Sequence, residues 1–303
     1  MNDRFVNLFT DFGFKKIFGE EPNKDLLLSF LNSILEKEGE QIEELTFLDK
    51  ERLGYRASER RAVFDLFCKN QKGEKIIIEV QRAEQEFFKD RSIYYSAFAI
   101  QEQAQKGKLW NYELKAVYTI ALLDFAFEKE NKEKLAHYIQ LLDKETCQVF
   151  YKKLTYVYLE VPKFSKSLEE LSSDYERWLF AFQNLHKLRD KPAHLQAGIF
   201  RRLMELAEIA QFEPQEQVAY RESLKEYWDL KNALDTSFKE GLEQGLQQGL
   251  QQGLQQGVEE GRVAMKRDLV LSLLQKGTFT DAQIAELLSI ERDFIEKVRQ
   301  NYL

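Results

Sequence analysis

RRAVFDLFCKNQKGEKIIIEVQR, residues 60–82, is the stretch whose reading decides the fold. Two runs rich in β-branched and aromatic residues, 62–69 and 75–81, flank a polar segment that contains Gly73, the pattern of an antiparallel strand pair. A three-residue loop, Gln71-Lys72-Gly73, with Gly73 in the left-handed position of a G1 bulge, pairs Asn70 with Glu74 and so sets Asp65 opposite Glu79. Strand alternation then places Val63, Phe67, Ile77 and Gln81 on the face of the two carboxylates. It leaves Ala62, Phe64, Leu66, Cys68, Ile76, Ile78 and Val80 as an apolar face turned to the core. A two-residue loop would give an odd register and send Asp65 and Glu79 to opposite faces, so the reading depends on Gly73.

Two carboxylates opposed on an antiparallel ladder repel each other by up to about 1 kcal/mol, and a divalent cation between them removes the penalty. Oxygen-only ligands on a rigid strand pair suit Mg²⁺ or Mn²⁺, which take one or two protein carboxylates and complete their shell with water and phosphate oxygens. The same spacing also fits an ordinary solvated sheet face.

Asp65, a spacer and Glu79-Val80-Gln81 resemble the D…(D/E)-x-K arrangement of the PD-(D/E)XK nuclease superfamily. Four blocks in order are similar to the Rpn family of recombination-promoting nucleases and transposases: Thr10-Asp11-Phe12-Gly13-Phe14-Lys15-Lys16-Ile17-Phe18-Gly19, Glu79-Val80-Gln81-Arg82, Arg91-Ser92-Ile93-Tyr94-Tyr95 and Leu159-Glu160-Val161-Pro162-Lys163-Phe164. The resemblance runs from the N-terminus to about residue 260. It implies an α/β fold, a PD-(D/E)XK nuclease-like core whose mixed central sheet is flanked by helices, followed by a helical C-terminal region. It implies a DNA endonuclease, dependent on Mg²⁺ or Mn²⁺, that hydrolyses phosphodiester bonds in recombination or transposition. Asp65 and Glu79 would be its metal ligands, and Asp65, Glu79 and Gln81 its catalytic residues. Gln81 stands where a Lys is usual; it carries no charge and takes no proton, which leaves it to orient the attacking water. Asp11 and Lys15 from the first block, and Arg91 and Tyr95 from the third, are second-tier site candidates. Three of them also have an ordinary reading: Asp11 as a helix N-cap, Arg91 as a surface residue, Tyr95 as core. A second functional class stays open, a catalytically silent nuclease-like module that binds DNA or a partner in mobile-element recombination or in defence against foreign DNA. The missing Lys and a net charge of −7 favour it.

Twenty-three Phe and 13 Tyr in 303 residues supply a sizeable core. With no apolar run of about 18 residues and no signal-like N-terminus, the chain reads as cytoplasmic, without a membrane span. Cys68 and Cys147 are too few and too far apart for a disulfide framework and read as buried thiols. The three His residues do not fall at metal-ligand spacings.

Along the chain, a first helix with Phe14, Ile17 and Phe18 precedes a second, capped by Asn23, and a strand at 44–48. The charged loop 49–60, with Lys50, Arg52, Tyr55, Arg56 and Arg60, reads as DNA-facing or simply solvated. A helix at 87–106, a fully buried strand at 115–125 and a strand at 155–161 complete a nuclease-like domain over 1–164, and a helical region follows over 165–239. Residues 240–262 repeat Gly-Leu-x-x with period four. Each Gly costs a helix roughly 0.8 to 1 kcal/mol, and the Leu row drifts because four does not match 3.6. The repeat reads either as a spacer or as a surface for self-association, and the latter points to a homo-oligomer, a dimer through the C-terminal region. Residues 263–303 form a small helical module with Thr280 as a cap.

Overall fold

The computed structural model describes residues 3–36, 39, 41–49, 51–52, 62–105, 110–127 and 133–302. Gly73 takes φ +78°, and its N–H donates to Asn70 O at 3.0 Å while the Asn70 N–H reaches Glu74 O at 3.1 Å. This closes a three-residue loop and sets the ladder Leu66↔Ile78, Phe67↔Ile77, Cys68↔Ile76. In chain order the strands are β1 (Leu45–Phe47), β2 (Glu51–Arg52), β3 (Ala62–Val63), β4 (Leu66–Asn70), β5 (Lys75–Gln81), β6 (Val117–Leu123), β7 (Ala136–Leu142) and β8 (Val149–Glu160). Six of them make one sheet in the order β1-β4-β5-β6-β8-β7. The neighbours β5, β6 and β8 are parallel and the outer pairs antiparallel. β6 is buried along its whole length, as its unbroken apolar sequence requires of a central parallel strand.

Two features of the hairpin differ from the sequence reading. The run 62–69 is not one strand: it bends at Phe64 and Asp65, and β3 pairs with β2 instead of extending the ladder. Past that bend Phe64 packs with Phe67 and Ile77, on the opposite side from Leu66, Cys68, Ile76 and Ile78. The face that carries Phe67 and Ile77 is therefore a second small core and not a solvated surface. β7, which is short of buried residues, also has no counterpart in the sequence reading. Lys50, Tyr55, Arg56 and Arg60, with the side chains of Arg52 and Ala62, lie outside the described residues.

The helices are α1 (Asp11–Phe18), α2 (Lys24–Leu35), α3 (Phe88–Gln101), α4 (Asp174–Asn184), α5 (Gly198–Leu206), α6 (Pro214–Lys276), α7 (Asp281–Leu288) and α8 (Arg292–Tyr302). Thr10, not Asp11, caps α1, its Oγ1 accepting the Gly13 N–H at 3.0 Å. A Cβ on Gly13 would sit 2.3 Å from Asn7 O, so the turn into α1 admits no side chain there. Asn23 occupies the N-cap of α2 but uses its amide elsewhere, donating to Lys16 O at 2.9 Å. One face of the sheet is covered by an aromatic cluster in which Phe18 stacks on Phe182 at 5.7 Å and Trp178 meets Phe18 and Phe30 at 5.6 and 5.7 Å. Trp178 and Phe182 belong to α4, so the compact unit continues past residue 164, where the sequence suggests a boundary; it extends to Lys231. The first turns of α6 close this unit: Tyr220 Oη accepts the Asn7 N–H at 3.0 Å, Tyr227 Oη donates to Asp124 at 2.7 Å, and Lys231 pairs with Asp124 at 2.8 Å. Cys68 is buried, which pushes its thiol up to about 12. Cys147, against expectation, is exposed between β7 and β8.

The second unit spans Asn232–Leu303. Its first part is the helical Gly/Leu repeat, with Leu242, Leu246, Leu250, Leu254 and Val258 all exposed. After Gly277, at φ +65°, Thr280 and Gln283 form a reciprocal capping box at the start of α7. Val270, Ile284, Ile295 and Val298 then make a small separate core with α8.

Candidate active site

β5 delivers Glu79 and Gln81 to one side of the sheet, and the bend before β4 delivers Asp65 next to them. Asp65 is not a ladder partner of Glu79. Because the chain bends there, its Oδ2 instead accepts the Val80 N–H at 2.7 Å, so the carboxylate caps the strand beside Glu79. Both acids are largely withdrawn from water. Burial pushes the Asp65 carboxyl up, against the Val80 N–H and the nearby Lys15 and Arg82, which pull it down; Asp11 adds to the upward push. Burial pushes Glu79 well above the carboxylate range, and the charge of Asp65 adds to it; Arg91 and the Asp65 N–H oppose. Glu79 Oε1 is buried with no hydrogen-bond partner. A buried acceptor without a donor costs on the order of 1–3 kcal/mol, more if charged.

α3 closes the site from the other side. Ser92 Oγ meets Tyr158 Oη at 2.6 Å and Ser96 Oγ meets Tyr156 Oη at 2.7 Å, which pins the helix to β8 and aims Arg91 at the end of β5. One Arg91 amino group donates to Gln81 Oε1 and the other to Gln85 Oε1 at 2.7 Å. The guanidinium lies 5.8 Å from the Tyr95 ring centre, and Tyr95 itself packs edge-on to Phe64 at 5.5 Å. Gln81 Nε2 donates to Ala83 O at 2.8 Å, so both ends of this amide are engaged, one of them in holding Arg91.

Asp11 and Lys15 form an i,i+4 ion pair at 2.7 Å, each side chain less than half exposed. They line an open cleft of roughly 650 Å³ with Lys16, Arg82 and, from α6, Glu216 and Glu222. Asp11, Lys15 and Arg82 reach the main site electrostatically, through Asp65. Arg82 is a site neighbour that the sequence reading does not single out, although it directly follows Gln81. The Leu159–Phe164 block serves the scaffold instead. Its Glu160, fully buried, takes the Phe127 N–H at 2.9 Å and pairs with His137 and, at 2.8 Å, with Lys163.

Among the described residues no group of three or more His, Cys, Asp or Glu side chains is arranged to hold a metal. The pair Asp65 and Glu79 nonetheless fits a hard divalent cation, for which one or two carboxylates suffice, and the unpartnered Glu79 Oε1 is the atom such an ion would satisfy. No helix among the described residues is long and apolar enough to cross a membrane.

The mixed sheet with paired acids at a strand end and helices on both faces is the PD-(D/E)XK nuclease-like α/β fold. Residues 8–237 match the model of the PD-(D/E)XK nuclease family transposases, and the chain belongs to that family. No curated protein and no solved structure matches it.

Proposed function

We propose that this protein is a DNA endonuclease that hydrolyses phosphodiester bonds with a divalent cation, Mg²⁺ or Mn²⁺, held by Asp65 and Glu79. The observation that carries the reading is the juxtaposition of buried Glu79, one of whose oxygens is unpartnered, with half-buried Asp65, beside a strand end flanked by Arg91. A bound cation would supply positive charge to the scissile phosphate and make the attacking water more acidic. Asp65 stays oriented through the Val80 N–H, and Glu79 presents Oε1. Gln81 holds Arg91 and retains one N–H and one lone pair with which to orient water. Arg91 offers the remaining donors of its fork to a phosphate oxygen. Asp11 and Lys15 tune Asp65 from α1, and Tyr95 supports Arg91.

Purified protein nicks supercoiled plasmid with Mg²⁺ or Mn²⁺ on this reading. Asp65→Ala and Glu79→Ala each lower the rate at least a hundredfold, the scale of losing a principal electrostatic contributor, and calorimetry finds Mn²⁺ binding lost in both. Equal nicking by all three proteins places the activity elsewhere. The alternative, a silent module that binds DNA or a partner in recombination or defence, is favoured by one observation: the Gln81 amide is already engaged at both ends. It predicts no Mn²⁺ binding and no nicking by the wild type.

We also propose that the protein works as a dimer through the exposed Leu row of α6. Cutting both strands of DNA is most simply done by two such sites related by a two-fold axis.

A further inference from the structure

The side of α3 that carries Arg91 continues into a second recess of about 460 Å³, walled by Phe87, Arg91, Tyr94 and Tyr95 with Gln85 and Asp90. Two of these rings are turned to solvent: Phe87 is 65% exposed and Tyr94 45%. Helix formation does not account for them. Phe87 is the N-cap of α3 and makes no side-chain capping bond, at a position where Ser, Thr, Asp or Asn would satisfy an N–H. Tyr94 is held edge-on to Phe98 at 5.1 Å, so it is a placed ring and not a loose one. Arg91 joins the recess to the carboxylate site, since its guanidinium spans from Gln81 to Gln85.

Charge selects the occupant. The wall contributes two carboxylates, Glu86 and Asp90, against one cation, Arg91, which is shared with the carboxylate site, so the recess away from Arg91 does not favour a phosphate. An uncharged nucleobase fits better: it has a π-face to lay on an aromatic ring and an edge whose amino groups donate to carboxylates. A base inside a duplex offers neither its face nor its pairing edge, so the base must be unpaired. We propose that this recess is a stacking subsite for an unpaired nucleobase of the bound DNA, and that the protein prefers single-stranded, gapped or frayed DNA over intact duplex. This rests on the nuclease reading above. The net charge of −7 agrees with it, because weak attraction to duplex phosphates leaves stacking a larger share of the binding.

The test uses the full-length protein in EDTA with an oligonucleotide carrying 2-aminopurine, whose emission falls when the base stacks, and the same sequence as a duplex. The expected result is quenching by the wild type and tighter binding of the single strand. Phe87→Leu and Tyr94→Leu keep apolar bulk and lose the π-face; each should weaken single-strand binding about five- to hundredfold, the range for loss of one base–aromatic stack, and reduce quenching. Phe87→Trp should retain both, and thermal melts check that all variants fold. Equal wild-type affinity for single strand and duplex, or Leu variants that bind and quench like the wild type, overturns the subsite. Plasmid nicking measured in parallel separates the two failures: nicking that depends on Asp65, without any single-strand preference, removes the subsite and leaves the nuclease. Absent nicking removes the nuclease reading, and the binding and quenching data still decide the subsite.

Discussion

Glu79 carries the largest electrostatic tension in this site. Its carboxyl is displaced upward by burial first and by Asp65 second, so its surroundings disfavour the charged form in the folded protein. The folded state binds more protons than the unfolded chain at pH values between the ordinary carboxylate range and the raised value, so stability falls as pH rises through that window. Glu79→Gln keeps the shape and removes the charge. Measured in EDTA at neutral pH, it should raise the melting midpoint by about 2–4 °C, what roughly 1 kcal/mol gives a domain of this size, and flatten the decline with pH. A midpoint that drops, with the pH dependence intact, would mean that Glu79 is stabilised in a way its surroundings do not reveal. Asp65 belongs to the same balance, but its bond to the Val80 N–H makes it a structural cap as well, so Asp65→Asn should stabilise less.

The β4–β5 hairpin is the element on which the site depends, and its register depends on one backbone angle. At φ +78° Gly73 meets no steric neighbour within 4 Å apart from the Lys115 side chain, so Gly73→Ala tests conformation alone. It should cost about 1–2 kcal/mol, the left-handed penalty for a residue with a Cβ, seen as a lower urea midpoint with an unchanged slope. A loss of Mn²⁺ binding beyond what the stability change explains would show that the register itself slips. α3 matters in another way: the two Ser–Tyr contacts to β8 hold the helix, and through it Arg91, against the end of β5.

At the scale of the whole chain, the two units differ in how their apolar residues are used. The first encloses a core of rings that includes Phe14, Phe18, Phe30, Phe182 and Trp178, while the repeat leaves Leu242, Leu246, Leu250 and Leu254 between 62% and 74% exposed. A row of that kind exposed on a helix is an association surface or a liability. Replacing the four with Gln in the full-length chain should lower the mass seen by light scattering from dimer to monomer, while nicking of one strand persists and double-strand cleavage falls. An unchanged mass would assign any pairing to the nuclease-like unit and leave the repeat as a spacer.

The sequence by itself determined what depends on local chemistry. The hairpin register followed from one Gly in a three-residue loop, the buried strand β6 from its unbroken apolar run, and the helices from their apolar stripes and from caps such as Thr280. That Asp65, Glu79 and Gln81 lie near one another was legible as well, because they share a hairpin; Arg91 was named by the family resemblance. Only the tertiary structure decided what depends on which surface covers which. That Phe67 and Ile77 face α3 and not water, that Phe64 turns to join them, that Gln81 is engaged by Arg91 and Ala83, and that α4 completes the first core are all contacts between distant segments. The alternation of a strand states which residues share a face; it does not state what that face meets, because burial is set by partners that strand periodicity does not encode.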